Sequence, residues 1–238
     1  LYFEKISQFD RQAEPVTFSI PFAKGKLHDP QALVIHDNKQ VLPAQYRVLG
    51  TWGDPQHEEA PSIKWLLVNL QPDLPGNLDK TLTFEVTNGG TGSSKANTFA
   101  QRVCVDETPD GVKIDTGPLT FLIPNEGFLP IRDITLDGDA LWNDTPFKGF
   151  TLSYDGQEVT TATGPVELEI EEAGPLRAVI LVKGKHRRTD GSGFLDFNGR
   201  VTAYAGKSYI QPWLARQPRL ALHHPRTSSW GRAIIARR

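Results

Sequence analysis

Apolar and polar residues alternate in short runs separated by turn residues along most of the chain, which is the period-2 signature of β-strands. Val16, Phe18, Ile20 and Phe22 mark one face of a first strand. Ala32 to Ile35 follow, then a turn at Asp37-Asn38-Lys39-Gln40 and an extended run from Val41 to Trp52 interrupted by Pro43. Proline has no N–H to give a ladder, so Pro43 suits a bend or an edge. Ile63 to Leu70 is apolar on both alternating faces, which predicts a strand covered on both sides with Trp65 in the core. Leu82, Phe84 and Val86 supply another strand, and the Gly/Ser-rich run Asn88 to Ser94 behind it is the best boundary candidate.

A second strand-rich block follows. Its apolar runs are Val112 to Ile114, Leu119 to Ile123, Ile131 to Leu136, Phe150 to Tyr154, Val166 to Ile170, Leu176 to Val182 and Leu195 to Ala203. Pro109-Asp110-Gly111, Asp137-Gly138, Asp155-Gly156 and Asp190-Gly191 punctuate them with tight-turn chemistry. Residues 1–210 contain no convincing three-turn helix. The pattern predicts an all-β protein of two consecutive domains, residues 1–95 and 105–215. From Gln211 the alternation is lost, and residues 216–238 read as an irregular basic tail.

Charge sharpens that division. All 28 Asp and Glu and 20 of the 26 Lys and Arg precede Gln211, a net charge of −8, whereas the remainder holds six arginines and no acid. An acidic body lacks the phosphate-neutralising surface that nucleic-acid binding needs, so no nucleic-acid partner is expected. No apolar run approaches the roughly 18–20 residues of a membrane-spanning helix, so no membrane partner is expected either. The 238-residue chain contains no methionine, even at position 1, so it is read as processed, trimmed or a fragment. Leu1-Tyr2-Phe3-Glu4 is read as the start of a natural strand, although it also looks like part of a protease tag. Its lone Cys104 permits no internal disulfide and no thiolate metal site by itself. The compartment is not determined by these features; secretion after removal of a leader is the favoured reading.

Candidate chemistry is sparse. His28, His36, His57, His186, His223 and His224 show no metal-ligand spacing, and no HExxH, P-loop, GxSxG or EF-hand pattern occurs. Asp133, Asp137 and Asp139 surround Gly138 and read as a solvated turn rather than a calcium loop. Glu58-Glu59 and Glu171-Glu172 adjoin turn residues and read as solvated loop charges rather than acid/base couples. No catalytic residue, metal site or cofactor is therefore assigned. Sugar-binding surfaces use exposed indole faces, and the tryptophans nearest loops are Trp52, between Gly50 and Gly53, and Trp142, beside Asn143 and Asp144. They are the candidate carbohydrate-binding residues, with packing as the competing role.

Several stretches read as motifs in a fixed order. They begin with Val16-Thr17-Phe18-Ser19-Ile20-Pro21-Phe22-Ala23-Lys24-Gly25 and continue through 41–49 and Pro61-Ser62-Ile63-Lys64-Trp65-Leu66-Leu67-Val68. Asp115-Thr116-Gly117-Pro118-Leu119, Glu172-Ala173-Gly174-Pro175-Leu176-Arg177-Ala178-Val179 and 204–210 carry the series through the second block. Together they resemble the exo-rhamnogalacturonan lyase (YetA-like) family. The resemblance implies an N-terminal RIFT-type β-barrel followed by a β-sandwich. Residues 217–225 still resemble a family stretch; from Thr227 the chain departs from it, as a frameshift, misread splice or truncation would make it do.

The resemblance also implies a chemistry. Family members cleave rhamnogalacturonan or rhamnose–uronate glycans by β-elimination, in which the uronate carboxylate is neutralised, a base takes the C5 proton and the glycosidic oxygen leaves. It places the catalytic cleft in a C-terminal helical toroid that this chain is expected to lack. The expected function is thus the non-catalytic β portion of an exo-acting polysaccharide lyase, inactive alone, with a polysaccharide or oligosaccharide as partner. A stand-alone carbohydrate-binding or structural β-protein is the alternative.

Overall fold

The structure, a computed structural model, describes residues 1–5, 7–53, 61–87, 98–128, 131–141, 149–154, 156–216, 229–230 and 233–234. Among these every regular element but one 3₁₀ turn is a strand, and the chain divides into two units, Leu1–Ala100 and Gln101–Arg238.

In the first unit the strands are β1 (Tyr2–Phe3), β2 (Val16–Pro21), β3 (Leu33–Asp37), β4 (Gln40–Leu42), β5 (Ala44–Trp52), β6 (Ser62–Leu70), β7 (Lys80–Thr81) and β8 (Thr83–Val86). Three small antiparallel sheets, ordered β2-β6-β5, β4-β3-β8 and β1-β7, surround one core. Leu27, Leu33, Ile35, Ala44, Ile63, Leu66, Val68, Leu70 and Leu82 form it, with Leu1, Phe3, Phe18 and Ile20 packed against it. Burying a side chain such as Leu66, which is 0% exposed, stabilises the unit by about 2–3 kcal/mol. Tyr46 of β5 ties two sheets together, its hydroxyl donating to the Leu33 carbonyl at 2.7 Å. Burial pushes that phenol up to about 12.

The second unit begins with β9 (Cys104–Thr108), β10 (Gly111–Asp115), β11 (Leu119–Pro124), β12 (Arg132–Leu136) and β13 (Asp139–Ala140), which make one sheet in sequential order. A larger sheet runs β14 (Thr151–Tyr154), β15 (Gln157–Thr160), β17 (Arg177–Arg187), β18 (Gly193–Tyr204), β19 (Tyr209–Arg216) and β20 (Ser229–Trp230). Also in it, β16 (Glu167–Ala173) pairs with β17, and β21 (Ala233–Ile234) with β19. Ile114, Phe121 and Ile123 of the first sheet share a core with Ile180, Val182, Phe197 and Val201 of the second. That is the inner layer of a sandwich.

Phe128 sits at the centre of that core, 0% exposed, with its ring centroid 5.5 Å from Phe197 and 5.7 Å from Phe150. Gly199 makes room for it: a Cβ built there would lie 2.3 Å from Phe128 Cζ. His186 is also fully buried, within hydrogen-bonding reach of the Leu195 carbonyl through Nδ1 (3.2 Å) and edge-on to Phe197.

Two sequence expectations are corrected here. The alternation does not end at Gln211, because β19 continues it to Arg216. Pro212, which interrupts the apolar pattern, occupies a buried position opposite Val201. Trp65 is not a core residue: it is 42% exposed. The core-facing residues of β6 are Ile63, Leu66, Val68 and Leu70, leaving Trp65 and Leu67 toward the other side.

Candidate functional site

Strand parity builds the most structured polar surface of the second unit. On β18, Phe197, Gly199, Val201 and Ala203 face the core, so Asp196, Asn198, Arg200, Thr202 and Tyr204 face outward. The register aligns Arg200 with Leu181 of β17 and Trp213 of β19, and Thr202 with Val179 and Gln211. Outward residues of β16 extend the rows, with Glu169 opposite Leu181 and Glu167 opposite Lys183.

A β-bulge then does what alternation forbids. The β16–β17 register slips between Ile170 and Glu172, making Glu171 the extra residue. As a result both consecutive carboxylates reach cations of the outward face. Arg200 grips Glu171 with two parallel bonds, Nε to Oε2 and Nη2 to Oε1, each 2.6 Å. Arg177 Nη1 donates to Glu172 Oε1 at 3.1 Å. Glu171 and Glu172 are therefore strand residues with ion-pair partners, and Glu172 is buried at 8% exposure; the expectation of solvated loop charges fails at the bulge.

The rest of the face is also paired. Lys183 Nζ donates to Glu167 at 3.0 Å and Glu169 at 2.8 Å, and Lys185 pairs with Asp196. Hydrogen bonds from Glu169 and Glu167 hold the Lys183 ammonium above its usual range, and the Glu171 bond does the same for Arg200. These ion pairs join four cations to five carboxylates, so the face offers neutralised donors and acceptors rather than a free positive field.

Aromatic surface completes it. The Arg200 guanidinium lies 5.7 Å from the Trp213 ring centroid, in cation–π range. Tyr204 donates to Gln211 Oε1 at 3.3 Å and has the Tyr209 ring 6.3 Å away. Burial raises the Tyr204 phenol, so it stays protonated and remains a donor. A half-buried indole beside a ladder of fixed polar groups is an arrangement that suits hydroxyl-rich ligands such as sugars.

The candidates named from sequence lie elsewhere. Trp52 is half-buried: its Nε1 donates to the Phe22 carbonyl at 2.7 Å, and the Lys64 ammonium sits 4.6 Å above its ring. One indole face is thus already covered. Trp142 lies outside the described residues, as do Glu58-Glu59 and the Gly/Ser run 88–94. Asp133 and Asp137 adopt φ of +51° and +52°, and among the described residues no group of three or more His, Cys, Asp or Glu side chains converges on a common point. Sequence reasoning missed Arg200 and Trp213. The available signal was the run of outward polar residues at every second position of β18.

Residues 5–72 match the PcRGLX-like N-terminal RIFT barrel domain, and residues 103–213 match the PcRGLX-like protein central β-sandwich domain. The chain belongs to the PcRGLX-like family and carries these two domains in that order, the fold its sequence motifs implied. No curated protein matches it.

Proposed function

We propose that this chain supplies the β portion of an exo-acting polysaccharide lyase for rhamnogalacturonan or related rhamnose–uronate glycans. It holds and orients the glycan and does not itself perform the elimination. The observation that carries this reading is the ordered pair of family domains over residues 5–72 and 103–213. The paired outward face of β16–β19 supports it, because Arg200, Trp213, Tyr204 and Gln211 present the mixed aromatic and hydrogen-bonding surface a glycan requires. Elimination needs a carboxylate neutraliser and a base converging on one C5 proton. The cations of this face already have carboxylate partners, so in this proposal the catalytic groups belong to the helical toroid that the family resemblance implies.

Elimination leaves an unsaturated uronate that absorbs ultraviolet light. The purified 238-residue chain is expected to bind rhamnogalacturonan oligosaccharides in a calorimetric titration and to generate no ultraviolet-absorbing product. Sustained product formation overturns the non-catalytic assignment. A second reading, glycan binding with no link to elimination, is favoured by the neutralised character of the same face. Affinity for uronate-free glycans equal to that for rhamnogalacturonan would decide for this alternative.

A further inference from the structure

We propose that the outward face of the β2-β6-β5 sheet in the first unit is a second saccharide site, with Trp65 as its stacking platform. It shares with the proposed function only the class of ligand. It rests on different residues.

The geometry starts from an indole that folding did not bury. Trp65 is 42% exposed on β6, the central strand of its sheet, a position where an aromatic side chain would ordinarily be covered. Its cross-strand neighbours are Pro21 of β2 and Gly50 of β5. Neither stands above the sheet as a long side chain would, and a Cβ built at Gly50 meets nothing within 4 Å. The floor around the ring is therefore flat and open on both sides. With strands about 4.8 Å apart, three abreast make a floor some 10 Å wide, enough for one pyranose ring with its substituents.

The surrounding groups then select among ligands. One row along, Leu67 lies between exposed Ser19 and exposed Arg47; the next row is Thr17, Asn69 and Gln45. Thr17 Oγ1 donates to the Asn69 side chain at 2.7 Å. Ser19 and Arg47, the diagonal neighbours, stand about 7–8 Å from the Trp65 position, within reach of the hydroxyl edge of a sugar stacked on the ring, whereas Asn69 and Gln45, one row further, are buried. Leu49, extruded by the bulge between Val48 and Gly50, is 52% exposed and adds apolar surface at one edge. An indole floor with the Ser19 hydroxyl and the Arg47 guanidinium along one end fits a pyranose, which has an apolar C–H face and a polar rim. A protein partner would match a broader apolar patch. This one narrows to polar residues within two rows.

The test uses the full chain with rhamnogalacturonan backbone oligosaccharides as the probe, measured by isothermal titration. Trp65→Ala is expected to weaken binding about tenfold, the effect of losing one stacked ring. Gly50→Val is expected to weaken it similarly by raising a branched side chain beside the platform while removing nothing from the core. Arg200→Ala, on the other unit, reports the face assigned above. Loss with Trp65→Ala and Gly50→Val while the Arg200→Ala chain keeps a Trp65-dependent component supports this site. Unchanged binding in both first-unit variants overturns it, whether or not Arg200→Ala loses affinity, and loss in Arg200→Ala alone leaves the other face standing. Wild-type chain that binds no saccharide, or whose Trp65→Ala variant changes only self-association in sedimentation, also overturns it.

Discussion

Replacing Gly199 by alanine tests whether the sandwich core is packed as tightly as the Phe128 environment implies. The new Cβ would stand 2.3 Å from Phe128 Cζ and 2.4 Å from Cε1, at least about 1 Å closer than ordinary van der Waals contact allows. The ring has no easy escape, because Phe128 is 0% exposed and is flanked by Phe150 and Phe197. Overpacking at such a site costs about 1–3 kcal/mol, and the upper end is expected here. Phe128→Leu alone costs about 1–2 kcal/mol through the cavity it leaves. The double variant Gly199→Ala/Phe128→Leu is then expected to be more stable than the sum of the singles by 1 kcal/mol or more, since shortening the ring removes the clash. Urea denaturation of the four chains, followed by near-ultraviolet circular dichroism and by calorimetry to separate the two units, reads the cycle. Gly199 sits between Asn198 and Arg200, so the strained single variant should also bind glycan less tightly. A Gly199→Ala cost below about 0.5 kcal/mol, or additive singles, refutes the packing argument.

Other measurements probe other parts. Tyr46 is raised to about 12 by burial, while an unfolded tyrosine titrates near 10, so the folded chain keeps a proton that the unfolded chain releases. Stability is therefore complete below about pH 10 and falls by roughly 1–2 kcal/mol as pH rises toward 12, after allowance for solvent screening of a partly buried group. Tyr46→Phe should remove this alkaline slope in pH-dependent urea unfolding, and a slope that persists counts against it. Thr161, 0% exposed, donates through Oγ1 to the Phe128 carbonyl and accepts from the Phe150 N–H, both at 3.0 Å. Thr161→Val leaves both groups without that hydroxyl and should cost about 2–3 kcal/mol by calorimetry; a neutral result contradicts the role given to it. Arg200→Lys gives up the two-pronged bond to Glu171 and the guanidinium's cation–π contact with Trp213. Its stability cost should stay below about 1 kcal/mol, because the side chain is over a third exposed, while calorimetric titration should show weaker glycan binding.

Strands and most turns were legible in the chain itself, because alternation and turn chemistry are local properties of the backbone. The apolar runs beginning at Val16, Leu119 and Leu176 became strands, the last running on past Val182 to Arg187. The family motifs were legible too, as residues in order. Which side of a strand meets the core was not legible wherever both parities are apolar. On β6, Trp65 and Leu67 look as buried as Leu66 and Val68, and only the pairing with β2 and β5 turned them outward. Nor can local pattern announce a bulge. Glu171 and Glu172 read as solvated loop charges beside a turn, whereas a one-residue slip against β17 brings both to cations 29 and 5 positions along the chain. The sequence by itself determined the elements and their order. The tertiary structure decided which side chains share a surface, because register and burial depend on residues far apart in the chain.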